Sequence, residues 1–189
     1  MTVTSPPAAP PATVRLADYK RPSWRAESTE LLFELHEDHA RVTSTVAYVL
    51  AGDAGDAPGK RRASAALPAL VLDGEDLELL SVVLDGTELG EEDISRDARG
   101  RLVLTPTAPA FSLQVVTRIA PQANTTLSGL YRSRGTFCTQ MVAEGFRRVT
   151  FFQDRPDVLS VYTTTIVADK ARFPVLLSNG NLVDSGDAD

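Results

Sequence analysis

Apolar residues recur at every second position along much of this chain, the spacing that turns one face of a β-strand toward a core. Leu31, Phe33 and Leu35 alternate with Leu32, Glu34 and His36. After the charged turn Glu37-Asp38-His39 comes the Val- and Thr-rich run Val42 to Leu50, so the two runs predict a hairpin. Leu70-Val71-Leu72 leads into Asp73-Gly74, and the apolar run Leu77 to Leu84 closes at Asp85-Gly86, both turn-forming dipeptides. Leu102 to Leu104, Phe111 to Ile119, Val158 to Ala168 and Val175 to Leu177 predict further strands, the last ending at the turn Ser178-Asn179-Gly180. Only Met141 to Phe146 and Asp154 to Ser160 leave room for short helical turns, with Pro156 suited to the first turn of the second. Roughly eight short strands with almost no amphipathic helix predict an all-β, antiparallel sandwich or saddle.

The ends of that pattern set the expected boundaries. Residues 1–13 hold Pro6, Pro7, Pro10 and Pro11 among alanines and predict a disordered tail, which leaves 14–189 as one β domain. Ala51 to Ala66, with Gly52, Gly55, Pro58 and Gly59, is the least structured internal stretch. No segment repeats.

Charge and cysteine content narrow the function classes. A net charge of −6 argues against coating nucleic acid, and the small basic cluster Lys60-Arg61-Arg62 reads as a solvated loop. A single cysteine, Cys138, excludes an intrachain disulfide and reads as a small buried hydrophobe. The N-terminus lacks the basic-then-apolar pattern of a signal peptide, and no run of about 18 apolar residues occurs. The expectation is a cytoplasmic protein with no membrane and no nucleic-acid partner. The sequon Asn124-Thr125-Thr126 is then idle.

The one string that resembles a metal motif is His36-Glu37-Asp38-His39. A zinc-binding H-E-x-x-H helix needs its histidines four apart on one face, and here the fourth position is Ala40 within a strand-and-turn pattern. With only two histidines in the chain, a His-His-Glu zinc site and histidine-based triads are both excluded. The glycines stand singly beside Asp or Asn, as turn residues do, and form no phosphate loop.

Residues 127–181 differ in character. They contain Leu127-Ser128-Gly129-Leu130-Tyr131, Phe137-Cys138-Thr139-Gln140, Glu144-Gly145-Phe146-Arg147-Arg148, Gln153-Asp154-Arg155-Pro156-Asp157-Val158 and Leu176-Leu177-Ser178-Asn179-Gly180-Asn181. With Asp18-Tyr19-Lys20-Arg21-Pro22, Leu72-Asp73-Gly74-Glu75-Asp76-Leu77 and Ile119-Ala120-Pro121-Gln122-Ala123-Asn124-Thr125, these blocks closely resemble the N-terminal domain of the bacterial aminopeptidase N branch of the M1 zinc metallopeptidases (gluzincins). The resemblance runs from about Ala17 to Asn181.

It implies a β domain that closes one side of an active-site cavity. The catalytic domain of that family carries the zinc, the H-E-x-x-H helix and a transition-state Tyr, none of which is present here, so this chain is expected to bind no cofactor and to be inactive alone. The final strands of the family domain are expected to be missing, which would leave unpaired sheet edges and an association-prone fold. The implied partner is the catalytic domain, in cis or in trans, with a peptide N-terminus only in that context. The family's own N-terminal contribution is a Gln-x-Glu segment, whose Gln shapes the first side-chain pocket and whose Glu binds the free α-amine. Gln140 matches the Gln, but Val142 stands where the Glu would be and can neither accept a hydrogen bond nor offset a cation. Glu144, two residues on, is either a substitute for that acid or the partner of Arg147 or Arg148. Asp154 and Arg155 read as bracing residues rather than substrate contacts. The other reading kept open is a stand-alone, non-catalytic protein-binding module derived from such a domain. An unrelated carbohydrate-binding sandwich is disfavoured by a single tryptophan and 6% aromatic content.

Overall fold

The computed structural model describes residues 15–52, 66–142 and 144–188. The expectations for the 1–13 tail and most of the 51–66 loop lie outside these residues.

Alternation becomes architecture in the two longest strands, β1 (Trp24–Leu35) and β2 (Ala40–Leu50), which pair antiparallel. Ala40, Val42, Ser44, Val46 and Tyr48 all turn to the buried side of β2. In β1 the buried set is Trp24 and Ala26, then Thr29, Leu31 and Phe33. The change of parity is absorbed by a register shift between Ala26 and Ser28, a bulge that keeps both halves facing one core.

Nine further strands follow: β3 (Leu70–Leu72), β4 (Glu78–Leu84), β5 (Thr87–Glu88), β6 (Ile94–Arg96), β7 (Leu102–Leu104), β8 (Ala110–Ile119), β9 (Gly129–Ser133), β10 (Thr136–Gln140) and β11 (Val161–Ala168). The large sheet has the order β11-β1-β2-β8-β4-β5, and β3-β7-β6 and the β9-β10 hairpin form two smaller sheets. The smaller sheets cover opposite ends of the buried face of the large one. At one end Leu70, Leu72, Leu102 and Leu104 pack on Trp24, Tyr48, Val82, Phe111 and Leu113. At the other, Leu130 and Val149 pack on Leu31, Phe33, Ala40, Val42 and Ile119. An isolated bridge, Asp73 to Phe152, ties the end of β3 to the segment that follows Val149. Among the described residues no helix is long and apolar enough to cross a membrane.

The all-β sandwich agrees with the sequence pattern, and four details correct it. Strands number eleven among the described residues rather than eight; the sequence does not mark β5, β6, β9 and β10, because they carry no apolar run like those of β3 and β7. One pairing is parallel: β11 runs alongside β1, with Thr164 opposite Leu31. Residues 154–160 form a turn with no helix, and the only helical turn near 141–146 is the 3₁₀ turn Phe146–Arg148. Val175–Leu177 lies outside any strand. Its pattern suits a strand, but no neighbouring backbone among the described residues is placed to complete a ladder.

Candidate functional site

The segment carrying the expected site residues begins with a tight hairpin. Arg134 and Gly135 both have positive φ (48° and 88°), as a two-residue type I′ connection requires between β9 and β10. This Arg-Gly pair, between Leu130-Tyr131-Arg132 and Thr136-Phe137-Cys138, is the signal by which the hairpin could have been found. Gln140 is the last residue of β10 and pairs with Gly129.

From Gln140 the chain folds back on itself. The amide of Gly145 donates to the carbonyl of Met141 at 3.2 Å. A β-carbon at 145 would lie 2.5 Å from the Gln140 carbonyl oxygen and 2.9 Å from the Met141 Cα, so only glycine closes this loop. Gln140 is exposed, and Val142 at the loop's tip is 79% exposed. Glu144 holds a left-handed φ of 70°, a conformation that disfavours any side chain. Its carboxylate is turned toward Arg147, Oε1 lying 3.4 Å from Nη2.

Arg147 is itself fixed from the other side. Its backbone N–H and Nε donate to Asp154 Oδ2 at 3.1 and 2.9 Å, and Nη2 donates to the Asp154 carbonyl at 3.0 Å. Burial works to lower the guanidinium's pKa, but the bond to Asp154 and the nearby carboxylates raise it on balance. Arg148 pairs with Asp76 at 2.8 Å and with Glu75. Arg155 donates to both oxygens of Asp157 and to the Lys20 carbonyl. Gly145 is thus held against Gln140 and Met141, Glu144 is engaged by Arg147, and Val142 has no polar group to offer.

Behind the loop lies a feature that reading the sequence missed, a cavity of about 540 Å³ between β1, β11, β10 and residues 173–179. Met141, Phe146 and Gln153 reach it from the loop side. Phe137 and Phe173 meet across it with ring centroids 5.2 Å apart, and the Arg132 guanidinium lies over Phe137 at 5.6 Å. Arg172 pairs with Glu37 at 2.8 Å, anchoring the 169–173 turn beside the β1-β2 hairpin. Burial raises the pKa of Tyr162, with the Asp154 carboxylate adding to it. No periodicity marks this cavity, because its walls come from segments far apart in the chain.

The donor set does not suit zinc. Among the described residues no group of three or more His, Cys, Asp or Glu side chains is placed to hold a metal ion. His36 and His39 stack at 4.5 Å in the β1-β2 turn, where His39 Nδ1 sits 2.7 Å from Asp38 Oδ1. Cys138 is half-buried in β10, its thiol toward the Thr136 carbonyl. Asn124 of the sequon spends its amide on the carbonyls of Ser128 and Leu130.

Comparison with known proteins gives these features a context. The chain is 43% identical over 179 residues to aminopeptidase N of Caulobacter vibrioides, covering 95% of this chain and 19% of that protein. It is 41% identical over 173 residues to aminopeptidase N of Escherichia coli, covering 90% of this chain and 18% of that protein. The chain therefore spans about a fifth of the length of these relatives. The crystal structure of Legionella pneumophila aminopeptidase A in complex with aspartic acid superposes with a TM-score of 0.76 at 29% identity, over 90% of this chain and 19% of that one. Native leukotriene A4 hydrolase of Saccharomyces cerevisiae shares the fold, with a TM-score of 0.58 at 17% identity over 82% of this chain and 26% of that one. Residues 64–189 match the Peptidase M1 N-terminal domain, and the chain belongs to that family.

Proposed function

We propose that this chain is the N-terminal β domain of a zinc aminopeptidase, forming one wall of the cavity in which N-terminal amino acids are removed from peptides. Zinc and the catalytic groups would come from polypeptide outside residues 1–189, in the cytoplasm. The observation that carries the reading is the 43% identity with aminopeptidase N across 95% of the chain. The exposed Gln140 at the end of β10 adds to it. In this reading the chain contributes shape rather than charge to the pocket. Gln140 offers a neutral amide, Val142 an apolar surface, and Glu144 is already paired with Arg147.

The test is complementation. Aminopeptidase N of Caulobacter vibrioides lacking its matched segment would be mixed with the 189-residue chain, and zinc-dependent cleavage of an aminoacyl chromogenic substrate followed. The expected result is no turnover by the chain alone and turnover with both polypeptides. Zinc-dependent hydrolysis by the chain alone, or no complementation, overturns the proposal. In the complemented enzyme, Val142→Glu should lower KM for substrates with a free amine by about tenfold, the scale of one added charge-assisted hydrogen bond.

The second reading, a free-standing protein-binding module, is favoured by one observation: Val175, Leu177, Leu182 and Val183 are all at least 70% exposed along one terminal segment. A native gene product of 20.3 kDa in its own cells would support it, and a much larger one would support the aminopeptidase.

A further inference from the structure

The three asparagines of the chain stand in three different settings. Asn124 precedes the β-branched Thr125, and its amide is held at both ends. Nδ2 donates to the carbonyls of Ser128 and Leu130 at 2.7 and 3.0 Å, and Oδ1 accepts from the Thr126 N–H and hydroxyl at 3.1 and 2.7 Å. Asn181 is exposed but precedes the bulky Leu182. Asn179 precedes Gly180 in an exposed bend that belongs to no strand. Gly180 has φ +89°, a conformation open to glycine, and a β-carbon there would meet no atom of the described residues within 4 Å. Among the described residues the Gly180 N–H donates to no backbone carbonyl, and neither does any backbone amide after Phe173.

This setting leaves two reactive groups free to meet. A carboxamide carbon is an electrophile, and the nitrogen of the following residue lies one five-membered ring closure away. Reaction requires that the amide be free to turn, that the backbone be free to bend, and that no side chain shield the nitrogen. Asn124 fails the first two conditions and Asn181 the third. The chain's Asp73-Gly74 and Asp85-Gly86 pairs have the same spacing, but their carboxyl-bearing residues are fixed. Asp73 exchanges both backbone bonds with Phe152, and Asp85 Oδ1 accepts from the Ser112 N–H at 2.8 Å.

We propose that Asn179 is a deamidation site, converting spontaneously to isoaspartate and aspartate, and that its isoaspartyl form is a substrate for a protein carboxyl methyltransferase. The Gly180 nitrogen loses its proton and attacks Asn179 Cγ. The new N–C bond forms, the bond from Cγ to Nδ2 breaks, and ammonia leaves with the proton. Water then reopens the imide ring. Addition at the backbone carbonyl routes the chain through Cγ as isoaspartate, and addition at Cγ leaves aspartate. Either product replaces a neutral amide on the cavity wall with a carboxylate, beside an Arg155 already held by Asp157. The inference stands independently of the proposed function, because it needs only the setting of residues 178–181.

The experiment ages the 189-residue chain at neutral pH and body temperature, folded and in urea, and maps it by peptide mass spectrometry. Samples are also labelled with an isoaspartyl O-methyltransferase and radioactive S-adenosylmethionine. In the folded chain the peptide holding Asn179 should gain about 1 Da, the change from amide to acid. It should do so more than about tenfold faster than those holding Asn124 or Asn181, a barrier difference of about 1.4 kcal/mol. Urea should speed Asn124, whose hydrogen bonds are lost, and leave the rate at Asn179 unchanged. Asn179→Gln lengthens the ring to be closed and should abolish both the mass gain and the methyl label. Gly180→Ala keeps the asparagine but shields the nitrogen, and should slow conversion at least about tenfold. Both variants lie in the exposed bend and should melt at the wild-type temperature. No mass gain at Asn179, or equal rates at the three asparagines, overturns the proposal. So does a marked acceleration of Asn179 in urea, which would show that the fold restrains it. Methyl label that persists in Asn179→Gln and maps to Asp73 or Asp85 overturns the assigned isoaspartyl site.

Discussion

The two ends of the large sheet are built from the same kind of sequence and end in opposite states. Under the small sheet, Trp24, Tyr48, Leu70 and Leu102 are essentially inaccessible. Trp24 meets the edge of Phe111 at 5.0 Å and donates its indole N–H to the Pro68 carbonyl at 3.1 Å. At the β11 end, Val161 is 73% exposed and Leu177 is 84% exposed, beside a cavity rather than a filled core. Apolar alternation marks a strand that needs cover. It does not say whether the chain supplies that cover. At the first end β3 and β7 provide it; at the second the β9-β10 hairpin covers part of the face, and Phe173 and the residues after it lie across the remaining cavity.

The largest effect should separate the two ends directly. Trp24→Ala removes a fully buried ring and its hydrogen bond and should destabilise the chain by about 3–5 kcal/mol. Leu177→Ala, an equally apolar deletion at the open end, should change stability by no more than about 0.5 kcal/mol. Urea unfolding of both variants checks this. Similar losses in the two would mean that the terminal segment is as well packed as the core.

Next in size is the ionic brace between the ends. Arg147 holds Asp154 through three donors, and its own carbonyl accepts from Glu75 N–H at 2.9 Å. Arg147→Ala leaves the mostly buried Asp154 carboxylate without its side-chain donor and should cost about 2–3 kcal/mol. Glu144→Ala should cost far less, because Glu144 is largely exposed and holds an unfavourable φ. If the two variants lose equal stability, Glu144 is a true member of the brace.

These contrasts explain what could be read from sequence. The β1-β2 hairpin was legible because long alternating runs flank a charged turn, and the all-β class followed from many such runs. The parallel pairing of β11 with β1 was not legible, since strand order depends on which edge is free, and no local pattern records that. The strands β5, β6, β9 and β10 lack the apolar run that marks the short strands β3 and β7, so nothing in their residue types sets them apart from turns. At the site, residue types singled out Gln140, Val142 and Glu144 and offered Arg147 or Arg148 as a partner for Glu144, and the structure pairs it with Arg147. Gln153 was legible as part of a conspicuous block, while the cavity it lines is walled by segments far apart in the chain.

A smaller effect sharpens the role of the loop. Gly145→Ala places a methyl against the Gln140 carbonyl and the Met141 Cα, both backbone atoms that yield little. Overpacking of this kind should cost about 1–3 kcal/mol and displace Gln140. Complementation would therefore lose activity beyond what the stability loss explains. Gly52→Ala, where no atom of the described residues lies within 4 Å, is the control, and it should leave both readouts unchanged. A Gly145→Ala variant with full activity would show that the position of Gln140 is immaterial.

The smallest effect concerns a clasp at the open end, where the Tyr19 hydroxyl donates to Asp157 Oδ2 at 2.8 Å. Burial works to raise the Asp157 pKa, but the hydrogen bonds from Arg155 and Tyr19 outweigh it and hold the carboxyl below its ordinary value. A depressed folded-state pKa stabilises the chain above the unfolded value of about 3.9, and that contribution is lost as pH falls through the folded value. The hydrogen bond to Asp157 raises the Tyr19 pKa, with burial adding to it. That contribution is present below the unfolded value of about 10 and is lost as pH rises through the folded value. The clasp should therefore open at both extremes. Asp97 at the closed end is likewise depressed by its bond from Arg101, yet it has no tyrosine partner, so its turn should respond only in acid. Asp157→Asn removes the carboxylate and should bring Tyr19 back toward the ordinary phenol range, read as phenolate absorbance in an alkaline titration. It should also flatten part of the acid loss of Tm. If the variant's titration and melting curves overlay those of the wild type, the Tyr19–Asp157 contact contributes nothing in solution, and the open end has no clasp of its own.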